Sequence, residues 1–433
     1  MRGIKGPGPG CNFQGALDTL TRIEGVVPIV HSTAGCVIQH YHALRAGGSL
    51  GAFLEGFEVP SSNVWEKQII FGGASRLREQ MKNAVKVFSG DLYVVLPGCE
   101  SEMVGDDAAA MTAELAGQGA PVICYEGAGF KGDAYSGYAG VTEAIFAQLP
   151  GVAAIPAKGG ERSVNILGLV PGQDPYWQGN LAELGRIFHR LGVRVNTFFG
   201  SGQGLESWKR AYRADLTIVV SRWGIRAAKL LEDRYGVPSL ELNGAFLGEQ
   251  ETGSALRKAA ALLGEERELE PFLQAEKSRF VYALRQIRDY YYAHFPRNYG
   301  IAGDEGAILR YGKFLGGVLG FSLKAAIITD APAGEENPRP AAELEGLTEK
   351  VYCSKDRGEI AEIIVDTRPQ LILAGAPEKA LARRLGIPLL RVSSPAGRMM
   401  LNRSNLGYTG ALTVLEELWE LFVPADPGPY PIR

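Results

Sequence analysis

The sequence predicts an α/β protein built from parallel sheets, and two features of the chain support this class. Short, continuous apolar segments recur along the sequence, as expected for strands that helices cover on both faces. Helical segments alternate with them, which is typical of parallel strands joined by crossover helices. The chain has 433 residues, 46% of them hydrophobic and 21% charged. This length suits roughly three globular domains of ordinary composition.

The strands and helices can be assigned in order along the chain. The predicted strands are Val26–Val30, Leu92–Leu96, Val122–Tyr125, Val164–Val170, Val193–Phe199, Leu216–Val220, Ser239–Leu242, Ala325–Thr329, a short strand ending at Cys353, Gln370–Ala374 and Pro388–Val392. The predicted helices are Ala74–Phe88, Asp107–Ala116, Leu181–Leu191, Gly253–Leu263, Leu269–Tyr292 and Pro377–Leu385. The last helix begins at a proline, which the first turn accepts because that position needs no amide hydrogen.

The predicted elements group into three domains. An N-terminal αβ domain covers residues 1–157, a middle αβ domain with a bridging helix covers 158–308, and a C-terminal αβ domain with a proline-rich tail covers 309–433. The polar segment AKGGER separates the first two domains, and residues 332–346 are predicted to form a surface loop. The tail FVPADPGPYPIR cannot continue a helix because proline lacks the amide hydrogen.

Charge and hydropathy exclude several classes of function. A net charge of −3 gives no electrostatic basis for binding nucleic acid. No apolar segment is long enough to span a membrane, and the start MRGIKGPGPGC has no apolar signal region. A cytoplasmic location is therefore expected, where thiols stay reduced. The chain contains no GxxxxGK[ST] string, so ATP chemistry is expected to belong to a partner.

Three of the five cysteines share a local pattern. They are Cys11, Cys36 and Cys99, and they directly follow Gly10, Gly35 and Gly98. Glycine lets the backbone approach a ligand closely and adopt positive φ. Ligands of open parallel sheets bind beyond the carboxyl ends of the strands, and two of these cysteines follow the first two predicted strands. Soft sulfur ligands placed there indicate an iron–sulfur or zinc site. A chain that supplies only three of them calls for a partner to supply the rest.

Two simpler interpretations remain open for these cysteines. Free cysteine is among the most buried residue types and often only fills space. A disulfide scaffold is disfavoured because the number of cysteines is odd and the chain is long. Cys124 lies inside an apolar run and Cys353 ends a short strand, and neither has a neighbouring glycine that favours a ligand role.

The segments that carry these residues resemble those of a known family. They are GCNFQGAL, VHSTAGC, IIFGGASRLREQMKN, GCESEMVGDD, CYEGAGFKG, YGVPSLELNG and LNRSNLGYTGALTVLEEL, in this order over nearly the whole chain. The pattern resembles the nitrogenase component 1 superfamily. Its members include the cofactor-assembly scaffold, the dark-operative protochlorophyllide and chlorin reductases, and nitrogenase-like reductases of sulfur compounds.

The resemblance implies three Rossmann-like αβ domains around a cleft and a cluster at a subunit interface. Cys11, Cys36 and Cys99 match the three ligands that the family contributes to this cluster. The cluster is a P-cluster of 8Fe-7S type in nitrogenase and a 4Fe-4S cluster in the tetrapyrrole reductases. The implied partners are a homologous α-type subunit in an α2β2 heterotetramer and an ATP-dependent iron protein.

The resemblance also assigns residues around the cluster. His31, Gly35 and Gly98 match cofactor-binding positions, and Phe71 matches a phenylalanine where the iron protein docks. A packed or capping histidine and a core aromatic are the simpler interpretations of His31 and Phe71. The pair Asp106–Asp107 is predicted to cap the N-terminus of a helix.

The departures from the family favour a β-type subunit without catalytic residues of its own. Ser221 stands where the α-subunit has the cysteine that anchors the large metal cofactor, and SPAGRMMLNRSNLGYTG lacks the histidine that completes this anchor. Gly129 stands near the place of a β-subunit serine that can bind the oxidised cluster.

The leading hypothesis is therefore an electron-transfer subunit of a nitrogenase-like reductase, with the active site on its partner. A subunit of a cofactor-assembly scaffold and a subunit of a tetrapyrrole reductase are the alternatives. The sequence does not identify the substrate.

Overall fold

The computed structural model describes residues 10–47, 59–244, 246–264, 269–331, 342–348, 350–397 and 400–423. The first nine residues of the predicted N-terminal domain, most of the predicted loop at 332–346 and the proline-rich tail lie outside these ranges. Within them, no helix is both long and apolar enough to cross a bilayer. The α/β class is confirmed, because every pairing between the named strands is parallel and helices connect the strands.

The first sheet has the strand order β1-β2-β3. Its strands are β1 Val26–His31, β2 Leu92–Pro97 and β3 Val122–Cys124. The helices of this part are α1 Asn12–Leu20, α2 Ala34–Gly47, α3 Glu66–Phe71, α4 Ala74–Val87, α5 Cys99–Val104, α6 Ala108–Ala116 and α7 Ala134–Val152. Almost every residue of the three strands is buried, which explains their continuous apolar sequence.

The second sheet has the order β5-β4-β6-β7. Its strands are β4 Ser163–Leu167, β5 Arg194–Asn196, β6 Leu216–Val219 and β7 Ser239–Glu241. The helices here are α8 Trp177–Arg190, α9 Leu205–Ala211, α10 Ile225–Tyr235, α11 Gly248–Leu263 and the bridging helix α12 Leu269–His294.

The third sheet has the order β10-β9-β8-β11-β12. Its strands are β8 Asn298–Gly303, β9 Ser322–Ile328, β10 Val351–Cys353, β11 Ile372–Ala374 and β12 Leu389–Arg391. The helices are α13 Glu305–Gly317, α14 Ala342–Glu345, α15 Arg357–Thr367, α16 Lys379–Leu385 and α17 Gly407–Phe422. The central strand β8 is absent from the sequence prediction. The predicted boundary between the middle and C-terminal domains, after residue 308, falls inside α13. β8 comes before this boundary in the sequence but pairs within the third sheet.

The first and second sheets share one hydrophobic core. Phe146 of α7 packs against Phe198 and Trp208, with ring centroids 5.5 and 4.8 Å apart. The hydroxyl of Tyr212 donates a hydrogen bond to the main-chain oxygen of Phe146 at 2.9 Å. All four side chains are buried. This contact fixes α7 on the second sheet.

Helix α1, which directly follows Cys11, crosses α7 at very short range. A β-carbon built on Gly15 would lie 2.0 Å from the main-chain oxygen of Ala134. One built on Gly137 would lie 2.1 Å from the main-chain oxygen of Asn12. Only glycine fits at these two positions, because any side chain would overlap the backbone of the other helix. The crossing sets the position of Cys11 relative to the core.

Candidate metal centre

The three glycine-preceded cysteines lie at one edge of the first sheet. Cys36 is in the first turn of α2, which follows β1, and Cys99 begins α5, which follows β2. Cys11 forms an isolated antiparallel bridge with Asp133, in the loop between β3 and α7. Each thiol therefore lies beyond the carboxyl end of one of the three parallel strands, where such sheets bind ligands.

Two of these thiols flank a single glycine. A β-carbon built on Gly129 would lie 3.0 Å from the sulfur of Cys11 and 3.1 Å from the sulfur of Cys99. The amide of Gly129 donates a hydrogen bond to the Cys99 sulfur at 3.2 Å. Gly129 thus brings a main-chain donor to the thiols without a side chain between them.

The third thiol, that of Cys36, interacts electrostatically with the other two. Burial raises the pKa of the Cys36 thiol, and the charges of Glu100, Cys11 and Cys99 raise it further. The hydroxyl of Ser32, which lies 3.5 Å from the Cys36 sulfur and 2.8 Å from Oε2 of Glu100, acts in the opposite direction. Ionised at the same time, the three sulfurs would repel one another, and a metal cation would offset this repulsion.

The donor set fits an iron–sulfur cluster. All five cysteines are free thiols, and Cys11, Cys36 and Cys99 are only partly buried, so a group outside the chain can reach them. Among the described residues, no set of three His, Cys, Asp or Glu side chains has the spacing of a single metal ion. Cys11, Cys36 and Cys99 would instead hold a multinuclear cluster, for which sulfur is the usual protein ligand. Main-chain and hydroxyl donors next to the sulfurs are the usual means by which proteins adjust cluster potentials.

The glycines before the cysteines differ in their roles. Gly10 has a φ of 98°, in the left-handed region that favours glycine. Gly98 has a negative φ, but a β-carbon there would lie 2.2 Å from Oγ of Ser32, so the close approach requires glycine. A β-carbon on Gly35 would meet only Oγ1 of Thr33, at 3.6 Å. The reasoning from local sequence therefore holds for Gly10 and Gly98 but not for Gly35.

The side chain of His31 is directed at a carboxylate and a hydroxyl. Its imidazole is fully buried, with Nε2 3.0 Å from Oδ2 of Asp106 and Nδ1 2.8 Å from Oγ of Ser62. Burial lowers the pKa of His31, although the hydrogen bond and the charge of Asp106 partly oppose this effect. The histidine reaches the cysteine loop through its main chain, whose oxygen accepts a hydrogen bond from the amide of Gly98 at 2.9 Å.

Phe71 ends helix α3 on an exposed apolar surface. This α3 surface consists of Trp65, Ile69, Ile70 and Phe71. Phe71 is 81% exposed, so the interpretation as a core aromatic is wrong. Met103 of α5, the helix that begins with Cys99, is 78% exposed. Exposed apolar surfaces of this kind are typical of interaction sites.

The two remaining cysteines lie apart from the group. Cys124 is buried in β3, and burial raises the pKa of its thiol to about 12. Cys353 ends β10 in the third sheet and is exposed.

Ser221 is partly buried and lies just after β6. Its hydroxyl donates to the main-chain oxygen of Gly168 at 2.6 Å. A β-carbon on Gly306, in the first turn of α13, would lie 3.8 Å from Cβ of Ser221. Nearby, Trp223 stacks on Tyr135, and its indole nitrogen donates to Oδ2 of Asp330 at 2.8 Å.

Asp330 is predicted to make stability depend on pH. Its burial, together with the charge of Asp304, raises its pKa from 3.8 to about 7. Between these values the unfolded chain has lost the proton that the folded chain retains, so folding becomes less favourable as the pH rises. Above about pH 7 both states are ionised and this contribution stays constant. The Asp330→Asn variant cannot ionise here, so its free energy of unfolding should fall less between pH 4 and 7 in denaturant titrations. Parallel curves for the two proteins would contradict this.

Three parallel sheets, with a group of partly exposed thiols at the edge of the first, define a multidomain α/β protein with a candidate metal centre. The chain belongs to the nitrogenase component 1 type oxidoreductases, because the model of that family matches residues 11–422. A solved structure titled nitrogenase Cp1 at pH 6.5 shares the fold, with a TM-score of 0.80 and 20% identity. The match covers 97% of this chain and 94% of the other.

Relatives of three kinds match the chain almost equally well. The nitrogenase molybdenum-iron protein alpha chain of Methanothermobacter marburgensis is 26% identical, over 95% of this chain and 86% of its own. The cofactor biosynthesis protein NifE of a Nostoc species is 24% identical, over 95% and 82%. The molybdenum-iron protein beta chain of Sinorhizobium fredii is 25% identical, also over 95% and 82%. These values assign the family but not the type of subunit.

Proposed function

We propose that this chain is the β-type subunit of a nitrogenase-like reductase. In this role it relays electrons from an ATP-dependent iron protein to a metal-cofactor active site on a partner subunit. The observation that carries the proposal is the convergence of Cys11, Cys36 and Cys99 at one exposed edge of the first sheet. An iron–sulfur cluster held there would accept and pass on single electrons.

The three thiolates hold the cluster from this side, and their surroundings adjust its potential. The Gly129 amide donates to the Cys99 sulfur, and the Ser32 hydroxyl can turn its hydrogen toward either Cys36 or Glu100. Because the chain supplies three thiols at an open edge, a homologous α-type subunit provides the remaining ligands in an α2β2 assembly. The shared cluster is of 8Fe-7S type, with 4Fe-4S as the alternative.

The α3 surface is the proposed docking site of the iron protein. Phe71 and Ile70 expose 81% and 71% of their area, and α3 contacts the helix that begins with Cys99. A partner bound at this surface would lie close to the thiol group.

The surroundings of Ser221 support an active site on the partner chain. Serine cannot replace a cysteine thiolate as a soft ligand for iron. In addition, the hydroxyl of Ser221 donates to the main-chain oxygen of Gly168, and Gly306 in the first turn of α13 lies near its β-carbon. A large metal cofactor has no anchor at this position.

A subunit of a cofactor-assembly scaffold is the second candidate, favoured by the match to NifE. Transient kinetics separate the two. The complex of this chain with its α-type partner is purified without oxygen, its iron is counted, and it is mixed with the iron protein and MgATP. With dithionite to re-reduce the iron protein and protons as the electron acceptor, a reductase oxidises the iron protein repeatedly while ATP lasts, and a scaffold oxidises it once at most. A complex that contains iron but shows no sustained oxidation would overturn the reductase proposal.

A further inference from the structure

Two neighbouring aspartates that look equivalent in the sequence have different roles. Asp107 caps α6, because its Oδ1 accepts a hydrogen bond from the amide of Ala110 at 2.9 Å. The carboxylate of Asp106 instead accepts the amide of Gly73, at 2.8 Å to Oδ1 and 2.9 Å to Oδ2. The prediction of a shared helix cap is therefore correct for Asp107 and wrong for Asp106.

Asp106 also contacts His31, which joins two separate parts of the first domain. Oδ2 of the buried carboxylate is 3.0 Å from Nε2 of His31. The main-chain oxygen of His31 accepts the amide of Gly98 at 2.9 Å and the hydroxyl of Ser101 at 2.6 Å. Gly98 and Ser101 enclose Cys99 in the sequence, so His31 holds the turn that carries this thiol.

The contacts of Asp106 also extend in the other direction, to the backbone next to the α3 surface. Gly73 lies two residues after Phe71 and immediately before α4. A β-carbon on Gly73 would lie 2.5 Å from Oδ2 of Asp106 and 2.9 Å from Cε1 of His31. The backbone after α3 thus rests directly on the Asp106–His31 pair, with no room for a side chain.

We propose that Asp106 and His31 are positioning residues that fix the α3 surface relative to the turn of Cys99. The path runs from Gly73 through Asp106 and His31 to Gly98 and Ser101 by hydrogen bonds of 3.0 Å or less. A protein docked on the α3 surface is thereby held at a set distance from the thiol group. This functional consequence rests on the proposed function. The structural connection between the α3 surface and the turn of Cys99, called the tie below, does not. A displacement of about 1 Å at a reacting pair can cost about 100-fold in rate.

Hydrogen–deuterium exchange of the intact complex tests the tie directly. Asp106→Ala leaves the Gly73 amide and Nε2 of His31 without a partner, while Nδ1 of His31 keeps its contact with Ser62. We expect exchange to rise about tenfold or more both in the segment 66–77 and in the segment 98–105. The matched control is Asp107→Ala, which should affect only the first turn of α6. If Asp106→Ala leaves segment 98–105 as protected as the control does, the proposal is overturned.

Two further variants keep the test decisive if Asp106→Ala does not fold. Asp106→Asn retains an oxygen for the Gly73 amide, and its own amide can donate to His31, whose other nitrogen then donates to Ser62. Near-normal protection is expected. Gly73→Ala pushes on the same carboxylate and should loosen both segments. Normal protection of the segment 98–105 in Gly73→Ala would contradict the tie.

A kinetic comparison tests the consequence for docking. With Asp106→Ala, the rate of ATP-dependent oxidation of the iron protein should fall about tenfold or more, while the cluster is still reduced normally by dithionite. Asp106→Asn should restore the rate. Unchanged oxidation of the iron protein in Asp106→Ala would refute the positioning role. If the wild-type complex does not oxidise the iron protein at all, the proposed function fails, whereas the exchange experiment still decides the tie.

Discussion

Replacing Cys36 with alanine should remove most of the iron from the anaerobically purified complex. Even residues that only hydrogen-bond to metal ligands typically cost 10–100-fold in affinity when mutated. Losing a thiolate from a set of three should therefore lower the iron content and the iron-protein-dependent activity by about tenfold or more. Metal analysis and electron paramagnetic resonance of the purified complex measure this effect.

Cys353→Ala is the matched control for this experiment. Cys353 is an exposed thiol in the third sheet, so its removal costs no packing and should leave the iron content unchanged. If Cys36→Ala retained full iron content and activity, the proposed centre would be wrong. Equal losses in both variants would show that the iron is not bound by this group of thiols.

Replacing Gly137 with alanine is expected to have the largest effect on stability. The added β-carbon would lie 2.1 Å from the main-chain oxygen of Asn12 and 2.6 Å from the main-chain nitrogen of Ala16. Because both obstacles are backbone atoms, α1 must move as a unit. Overpacking of this kind costs up to about 3 kcal/mol and occasionally more. For a chain of 433 residues, a loss of about 3 kcal/mol should lower the melting temperature by about 3 °C.

The same substitution should also reduce iron content, since Cys11 directly precedes α1. The control is Gly185→Ala in α8, where an added β-carbon meets nothing within 4 Å. In a helix this exchange stabilises by up to about 1 kcal/mol. A Gly137→Ala protein as stable as the Gly185→Ala protein would show that the two helices are not packed as described.

The strands were predictable wherever burial made the sequence continuously apolar. β2 reads LYVVLP with all residues buried, and its limits were predicted to within one residue. β8 reads NYGIAG, and its glycines and asparagine hide a strand that is nonetheless central in its sheet. Its burial comes from neighbours far away in the sequence. Local composition therefore could not reveal it.

The cysteines show the same contrast between features that the local sequence reveals and features that it does not. The positions of Cys36 and Cys99 after strands were visible in the sequence. Cys11 follows no strand, and it joins the others only through its bridge with Asp133, which fixes it beyond the end of β3. The sequence placed Gly129 near the cluster only through the family resemblance, and its hydrogen bond to the Cys99 sulfur is known only from the structure.

By itself the sequence determined the α/β class, nearly all of the described strands, six of the described helices, and which cysteines are candidate ligands. These properties depend on the periodicity and composition of neighbouring residues. Only the tertiary structure decided that three thiols meet at one edge, that Phe71 is exposed and that Asp106 supports His31 instead of capping a helix. These facts depend on how helices pack on the sheets, which brings together residues that are distant in the chain.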